Sequence, residues 1–332
     1  MENGVRHADE DEVEKSCGVR APGLLIPFQC EGADGVRGPI VAPDGEPFWR
    51  ARLDNQNAVN PPRRYTQRAG SGVHTFLPIG WSDGQGDGRL VLAESEFKAL
   101  AVNDRHQAFY VPAVGLTGFY GFQQGAKEMN NDNPILTPEL AYAIAHLKPQ
   151  RLDFIGDNDT ALNFEFSRAV IRLKGMLPDV ALCLPRIPLD KPKGIDDVRE
   201  EMRGKYESFF RRMVEDAVEV PASMEAADLA LLLLRRELSV LRKLREREPI
   251  NVLRRLANLA AHGGKLFANE VINIAKTDFG VPKGEFAKVM VDNRREAFAG
   301  ESASPENRIA RAVNAFAYDG ENYWKQDEAD LS

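Results

Sequence analysis

Residues 152–161 read Leu-Asp-Phe-Ile-Gly-Asp-Asn-Asp-Thr-Ala, and residues 89–96 read Arg-Leu-Val-Leu-Ala-Glu-Ser-Glu. In each stretch a short apolar run stops at acidic residues, and a segment with helical periodicity follows. Further apolar runs at 108–114 and 179–184, with a helical segment at 137–147, continue the alternation. Strands that alternate with helices are typical of a parallel α/β sheet. We therefore predict an α/β domain, with a parallel sheet flanked by helices, over residues 89–220.

The sequence on either side of this segment has a different composition. Residues 23–88 place many Gly and Pro residues between short apolar stretches, which predicts a small β-rich subdomain. Residues 1–22 are rich in acidic residues and predict a disordered leader. Residues 221–332 predict a helical C-terminal region that ends in an Asp-Gly hairpin at 317–324. The helices that we expect after the sheet lie at 196–218, 224–247, 250–262, 265–277 and 305–315.

Composition limits the class of protein. The chain has 332 residues, a net charge of −7 and three cysteines, none of them in a Cys-x-x-Cys pair. Cysteines of this number and spacing favour neither a zinc ribbon nor a disulfide framework, and indicate a reducing, cytoplasmic setting. The polar N-terminus is no signal peptide, and the longest apolar run, 229–234, is too short for a membrane span. We therefore expect no membrane partner, while the net acidity by itself says nothing about where the charges lie.

Acidic residues follow three strands of the predicted sheet. Glu94 follows the first strand, Asp157 and Asp159 follow the third, and Asp196 and Asp197 come after the fourth. Because the carboxyl ends of parallel strands meet at one edge, these side chains are expected in one crevice. Crowded carboxylates need a neutralising cation, and Mg²⁺ or Mn²⁺ suits oxygen ligands of this kind. The alternative is that Asp157, Asp159 and Asp196 are helix N-caps.

Basic residues gather in two parts of the sequence. The first group is interleaved with aromatic residues, as expected for phosphate binding and base stacking, or else for a solvated strand face. Its members are Arg50, Arg52, Arg63, Arg64, Tyr65 and Arg68. Lys98, one helical turn after Glu94, and Lys193 are expected to face the crevice and bind a nucleotide or DNA. The second group, at 235–255, has eight Arg and Lys against three Glu on an amphipathic helix. It favours DNA or helicase contact, or simply a packed helix with a solvated side.

Three segments resemble the motifs of the TOPRIM domain. Residues 90–100, Leu-Val-Leu-Ala-Glu-Ser-Glu-Phe-Lys-Ala-Leu, resemble its first motif, in which a strand ends in Glu-Gly and a helix follows. Residues 154–161 resemble its Asp-x-Asp motif, and residues 193–197, Lys-Gly-Ile-Asp-Asp, resemble the acidic element after the last strand. Residues 65–78 resemble the segment that precedes the core. The similarity is closest to the Toprim-like domain of plasmid and phage replication proteins, and it covers roughly residues 23–220.

The resemblance implies a DnaG-type primase that joins nucleotide triphosphates on a single-stranded DNA template. Glu94 would be the general base or a metal ligand, Asp157 and Asp159 would bind Mg²⁺ or Mn²⁺, and Asp196 or Asp197 would assist. Residues 318–324 resemble the lead-in to the helicase part of phage primase-helicases, and the chain has no Walker A motif. A separate replicative helicase is therefore an expected partner.

Two other functions stay open at this point. The same acidic residues would serve a metal-dependent TOPRIM nuclease, because fold alone does not fix the reaction. A non-catalytic DNA-binding TOPRIM module that recruits a helicase is the second alternative. Two departures from the family pattern favour this alternative: Ser95 replaces the Gly that follows the motif Glu, and the sequence has no zinc ribbon.

Overall fold

The computed structural model describes residues 3–31, 37–42, 45–60, 62–82, 87–103, 109–124 and 134–300, and for Glu31 and residues 292–300 the backbone alone. Across these ranges, no helix combines the length and hydropathy that a bilayer span requires.

Short antiparallel strands and one helix form the N-terminal part. The strands are β1 (Arg6–Ala8), β2 (Gly23–Pro27), β3 (Gln29–Glu31), β4 (Arg37–Pro39), β5 (Trp49–Leu53) and β6 (Tyr65–Gln67). Four of them form a sheet in the order β1-β2-β5-β6, while β3 and β4 pair with each other. Helix α1 (Glu10–Cys17) lies on one face of the four-stranded sheet, where its Val13 and Cys17 pack on Leu25, Ala51 and Leu53. This is the small β-rich part that the sequence predicts.

Residues 3–22 contain a strand and a helix, which differs from the expected disordered leader over residues 1–22. Strand β1 pairs with β2, and Asp9 begins α1 with a capping box, in which the N–H of Glu12 donates to Asp9 Oδ1 at 2.9 Å. The acidic residues lie on the outer side of α1, and the Arg20 guanidinium contacts three of them. Acidic composition therefore described only the solvent face of a helix whose other face is buried.

A five-stranded sheet with helices on both faces forms the middle of the chain. Its elements in chain order are β7 (Arg89–Ala93), α2 (Glu96–Val102), β8 (Ala113–Gly115), β9 (Gln123–Gln124), β10 (Ile135–Leu136), α3 (Pro138–Leu147), β11 (Arg151–Ile155), α4 (Phe164–Met176), β12 (Ala181–Leu184), α5 (Ile195–Met202), α6 (Tyr206–Glu215) and β13 (Val218–Glu219). The sheet order is β13-β12-β11-β7-β8, and β9 pairs with β10 alone. Strands β12, β11, β7 and β8 are parallel, whereas β13 runs antiparallel at the edge. The predicted α/β class is confirmed.

Alternate residues of strand β7 bury the two faces of this sheet. Leu90 and Leu92 pack in a cluster with α3 and α4, while Val91 packs in a cluster with α5 and α6. Such two-sided burial explains why the strands read as continuous apolar runs.

The helix predicted at 196–218 is interrupted. Arg203 has a φ of 40°, and a 3-10 turn over residues 203–205 separates α5 from α6. Gly204 follows Arg203 directly, and no proline marks the break. The hydrophobic spacing of α5 carries on into α6, so the sequence pattern alone predicted one helix across the break.

The C-terminal region is helical, as predicted. It contains α7 (Ala226–Arg247), α8 (Pro249–His262), α9 (Gly264–Phe279) and α10 (Lys283–Gly300), the last of which the sequence analysis missed. Leu234 and Leu241 of α7 share a core with Phe164, the first residue of α4. The predicted helix at 305–315 and the hairpin at 317–324 lie outside the described residues. The domain boundaries at residues 22, 88 and 220 stay predictions.

Candidate functional site

The two acidic strand ends of the first and third α/β strands are neighbours. Strands β7 and β11 are adjacent and parallel, with Ala93 opposite Ile155, so that Glu94 and Asp157 follow at the same edge. The backbone N–H of Glu94 donates to the carbonyl of Ile155 at 3.1 Å. The backbone N–H of Asp157 in turn donates to Glu94 Oε2 at 3.1 Å. The Glu94 side chain is thereby held against the residue that begins the Asp-x-Asp motif.

Two lysines lie between the carboxylates. Lys98, in the first turns of α2, contacts Asp157 Oδ1 through its Nζ, which is also 3.7 Å from Glu94 Oε2. Lys193 Nζ lies 3.4 Å from Asp157 Oδ2 and 3.4 Å from Asp159 Oδ2. The Lys98 side chain is 11% exposed and that of Lys193 is 61% exposed, so the cluster has an inner and an outer ammonium. We call these five residues the carboxylate crevice.

Burial governs the protonation of the inner groups. It raises the pKa of Glu94, and the nearby Asp157 charge adds to this while the Lys98 ammonium opposes it. Burial works to lower the pKa of Lys98, but the charges of Glu94 and Asp157 outweigh it and the pKa is raised. Lys98 is therefore held as an ammonium, and Glu94 accepts a proton more readily than an ordinary glutamate.

The alternative that Asp157, Asp159 or Asp196 caps a helix through its side chain is not what the structure shows, although Asp157 occupies the N-cap position of a 3-10 turn over residues 158–162. Asn163 caps α4, accepting from the N–H groups of Glu165 and Phe166, and Asp157 makes no cap hydrogen bond. Gly194 is the N-cap of α5, and Asp197 Oδ2 accepts from its N–H at 3.2 Å. Asp197 is thus the acidic residue used for capping, and it is not brought into the crevice.

Asp196 reaches the inner side of the crevice. Its Oδ1 atom is buried and has no hydrogen-bond partner in the described part of the chain. A Cβ on Gly194 would lie 2.3 Å from this atom and 2.9 Å from Lys98 Cε. Only glycine at position 194 therefore lets Asp196 and Lys98 approach the same space. The charge of Asp196 helps to raise the pKa of Lys98.

The residues as arranged do not fit a divalent metal ion. Carboxylate oxygens are the donors that Mg²⁺ and Mn²⁺ prefer. Over the described ranges, however, no three His, Cys, Asp or Glu side chains are placed to hold an ion together. The Lys98 ammonium lies between Glu94 and Asp157 instead, so an ion at this point would have to displace it.

An open cavity adjoins the crevice at Asp196. Its volume is about 600 Å³, and its wall includes Arg199, Arg203 and Tyr206 together with the carboxylates of Asp196, Glu200 and Glu207. Arg203 is the residue with the positive φ at the break between α5 and α6. A cavity of this size is large enough for a nucleotide-sized ligand.

The basic and aromatic residues ahead of the core do not form one surface. Arg50 is 13% exposed, and its Nη1 lies 2.5 Å from Oε1 of the fully buried Glu96, the first residue of α2. The Arg50 guanidinium also lies over the Tyr65 ring, and that of Arg52 lies over the Phe97 ring. Burial, together with the charge of Glu96, raises the pKa of the Tyr65 hydroxyl to about 12. These side chains join the N-terminal sheet to α2.

The other arginines of this group have different surroundings. Arg63 and Arg64 are exposed, next to β6. Arg68 donates from Nη2 to the carbonyl of Lys15, at the end of α1, at 3.2 Å. Glu96 is the functional neighbour that the sequence analysis missed, because a glutamate two residues after Glu94 carries no pattern that predicts its burial.

No protein-family model and no curated protein matches the chain. Domains of DnaG-type primases are among the solved structures to which it is similar, with low TM-scores. The zinc-binding and RNA polymerase domains of the Aquifex aeolicus primase have 13% identity and a TM-score of 0.35, over 78% of this chain and 57% of that one. A DNA primase domain from Pseudomonas aeruginosa has 14% identity and a TM-score of 0.36, over 80% and 77%. The RNA polymerase domain of Mycobacterium tuberculosis primase DnaG has 14% identity and a TM-score of 0.35, over 64% and 69%. The chain spans less than three fifths of the Aquifex structure.

Proposed function

We propose that the chain is a primase-like replication protein of the TOPRIM type, which joins nucleotides on single-stranded DNA. One observation carries the proposal: Glu94, Asp157 and Asp159 meet Lys98 and Lys193 at the carboxyl ends of adjacent parallel strands. Ligand sites of open α/β sheets lie at this edge. The motif resemblance of residues 90–100, 154–161 and 193–197 supports the same reaction class.

The side chains of the crevice have distinct proposed roles. Lys193, the exposed ammonium, would meet the triphosphate of an incoming nucleotide, and Lys98 would meet the phosphate nearest to the reacting bond. Glu94 would accept the proton of the attacking hydroxyl, since its raised pKa suits a base better than that of a free carboxylate. Glu94, Asp157, Asp159 and Asp196 have the oxygen donors that Mg²⁺ or Mn²⁺ prefers, but the Lys98 ammonium would have to move away from Asp157 before such an ion could bind, so the roles above are assigned to the side chains alone.

A non-catalytic DNA-binding module is the second candidate function. The contact of Lys98 with both Glu94 and Asp157 favours it, because the carboxylates are already neutralised without a metal ion. In that case the lysines would hold a phosphate of the DNA backbone and no bond would be made or broken.

Primer synthesis tests the proposal. The full chain is incubated with single-stranded DNA, labelled nucleotides and Mg²⁺ or Mn²⁺, beside an Asp157→Ala/Asp159→Ala variant. Asp179→Ala, which removes an exposed acidic residue after α4, is the matched control. We expect primers from the native and control proteins and none from the double variant. Shortened DNA would indicate a nuclease, and DNA binding without products would indicate the non-catalytic module.

The origin and the partner of the protein are also proposals. We infer from the resemblance that the protein serves a phage or a plasmid and works with a separate replicative helicase. The exposed basic side of α7 and α8 is the surface that we would test for this contact. Failure to recover a helicase with the tagged full chain, from cells that express the neighbouring replication genes, would contradict the partner.

A further inference from the structure

A second concave site lies away from the carboxylate crevice, where the loop after β12 meets α6 and α7. It is a cavity of about 210 Å³ whose wall includes three arginines, one from each of these elements. They are Arg186, Arg212 and Arg236, and the remaining wall includes Asp216, Pro188 and Phe209. We call it the arginine pocket.

Arg186 is held in place by a buried carboxylate. Its Nη1 lies 2.6 Å from Oε1 of Glu237, a residue of α7 whose side chain is fully buried. The same nitrogen donates to the carbonyl of Arg236 at 2.8 Å. A buried carboxylate needs a charged partner, so Glu237 fixes the guanidinium while 30% of the Arg186 side chain is exposed at the pocket. One cation of the pocket is thus preorganised by the core.

The other two arginines come from facing helices. Arg212 of α6 and Arg236 of α7 are exposed, and Arg236 Nη2 donates to the carbonyl of Asp216 at 3.3 Å. Among the described wall residues Asp216 brings one carboxylate, and the Glu237 carboxylate behind Arg186 offsets a second of the three guanidinium charges, so that the site keeps a net positive charge. Because a guanidinium presents parallel N–H donors that match two oxygens of a phosphate, this wall favours a phosphate over a simple halide.

An apolar surface completes the pocket. Phe209 and Pro188 line it beside the arginines. Aromatic side chains provide a flat face on which a nucleobase stacks. Phosphate-binding cations next to such a face suit a ligand with both a phosphate and a flat ring, which is the chemistry of a nucleoside phosphate, and at about 210 Å³ the pocket would hold the phosphate while part of the nucleoside lies outside it.

We propose that the arginine pocket binds a nucleoside phosphate, either as a free nucleotide or as a unit of a single-stranded nucleic acid. The pocket lies outside the carboxylate crevice, and its occupancy does not depend on the reaction proposed there. The loop after β12, which carries Arg186, also contacts the crevice. Asn158, between the two crevice aspartates, donates from Nδ2 to the carbonyl of Lys191 at 2.7 Å. Its backbone N–H donates to the carbonyl of Lys193 at 2.8 Å.

Binding to two probes tests this proposal. The full chain, in EDTA so that no metal contributes, is titrated with ATP and separately with a short oligothymidylate, by calorimetry and by fluorescence anisotropy. The test variant is Arg212→Ala/Arg236→Ala, with Arg212→Ala alone as a milder change. The control, Arg20→Ala/Arg211→Ala, removes two exposed arginines that pair with Glu10 and Glu207, outside the pocket and outside the basic side of α7 and α8.

We expect the test variant to bind at least one probe tenfold or more weakly, with the single variant between it and the native protein and the control within twofold. Weaker ATP binding by the test variant would identify a free nucleotide as the ligand. Weaker binding of the oligonucleotide alone would identify a single strand as the ligand. Equal losses in test and control variants, or no binding of either probe by the native protein, would overturn the proposal. If the native protein made no primers, the proposed function would fail, and these binding results would still test the arginine pocket because they require neither a metal ion nor catalysis.

Discussion

At the scale of single residues, Lys98 decides how the crevice handles positive charge. Its ammonium contacts Asp157 and lies 3.7 Å from Glu94, and it neutralises two carboxylates that would otherwise attract a divalent ion. Replacing it by the apolar Met keeps the length of the side chain and removes the charge. We expect Lys98→Met to bind Mn²⁺ about tenfold more tightly, a gain of about 1.4 kcal/mol, because the carboxylates lose their resident cation. The electron paramagnetic resonance signal of free Mn²⁺ measures this affinity.

Lys205→Met is the control for this change, since Lys205 is exposed in the turn between α5 and α6. Its Mn²⁺ affinity should equal that of the native protein. Native affinity in Lys98→Met as well would show that the ammonium does not keep metal ions out of the crevice.

His74 makes a second residue-scale prediction, on pH. Its Nδ1 lies 3.0 Å from Glu139 Oε1 and its Nε2 lies 3.0 Å from the Ser71 carbonyl oxygen. Both partners are acceptors, so both ring nitrogens donate. Burial works to lower the pKa of His74, but the hydrogen bond and charge of Glu139 outweigh it, and the pKa is raised from 6.5.

When the pKa of a histidine is higher in the folded than in the unfolded state, its protonation stabilises the fold. The stabilisation is complete at a pH below the unfolded-state pKa, and it is lost as the pH rises through the folded-state pKa. We therefore expect the free energy of unfolding to fall as the pH rises above 6.5. Urea denaturation at several pH values measures it. The variant His74→Gln, which does not titrate, should show a weaker decline, and identical declines in both proteins would rule the pair out as the cause.

At the scale of elements, one buried ion pair joins the N-terminal sheet to the α/β part. Arg50 of β5 meets the fully buried Glu96 at the start of α2, the helix that carries Lys98. Arg50→Met leaves a buried carboxylate without its partner, which should cost about 3–5 kcal/mol of unfolding free energy. Arg50→Met/Glu96→Gln removes both charges and should recover a large part of that loss. Chemical denaturation of the native, single and double variants measures the coupling.

An exposed pair serves as the control for that cycle. Arg6 and Glu12 form a solvated ion pair at 2.7 Å, for which Arg6→Met should cost less than about 1 kcal/mol. If Arg50→Met cost no more than Arg6→Met, the pair would not hold the two parts together.

The sequence predicts contacts within one helix or at neighbouring strand ends, but not contacts between elements that are far apart along the chain. Glu94, Asp157 and Lys98 lie in one crevice, and their proximity was predictable because strand ends and a four-residue helical step are local patterns, while their roles stay predictions. Nothing local predicts that Arg50 and Tyr65 are partly buried, since this depends on β5 packing against α2, a contact between residues more than forty positions apart. The leader was misjudged for the related reason that Val13 and Cys17 bury against strands far along the chain. The crevice carboxylates are paired with lysine side chains. The spacing of these residues in the sequence does not predict that pairing, because it depends on the conformations of the side chains.

At the scale of the whole molecule, a net charge of −7 coexists with basic surfaces. Several acidic residues face inward: Glu96 and Glu237 are fully buried against arginines, and Glu94 and Asp157 meet Lys98. Many of the exposed basic residues lie either beside β6, at Arg63 and Arg64, or along α7 and α8. Beyond the arginine pocket, nucleic-acid binding would therefore depend on which of these two surfaces the strand follows, and not on the net charge.

The salt dependence of binding identifies that surface. Each phosphate that a cation neutralises on a single strand contributes about −0.7 to the slope of log affinity against log salt concentration. If the strand crosses the N-terminal sheet, Arg63→Ala/Arg64→Ala should make the slope shallower by about 1.4. The same two-charge change on the helices, Arg247→Ala/Arg255→Ala, should then leave the slope as it is in the native protein. Titrations of an oligothymidylate at increasing salt concentrations measure all three slopes. A shallower slope in the helix variant alone would move the DNA path to α7 and α8, because counterions are released only where a phosphate replaces them.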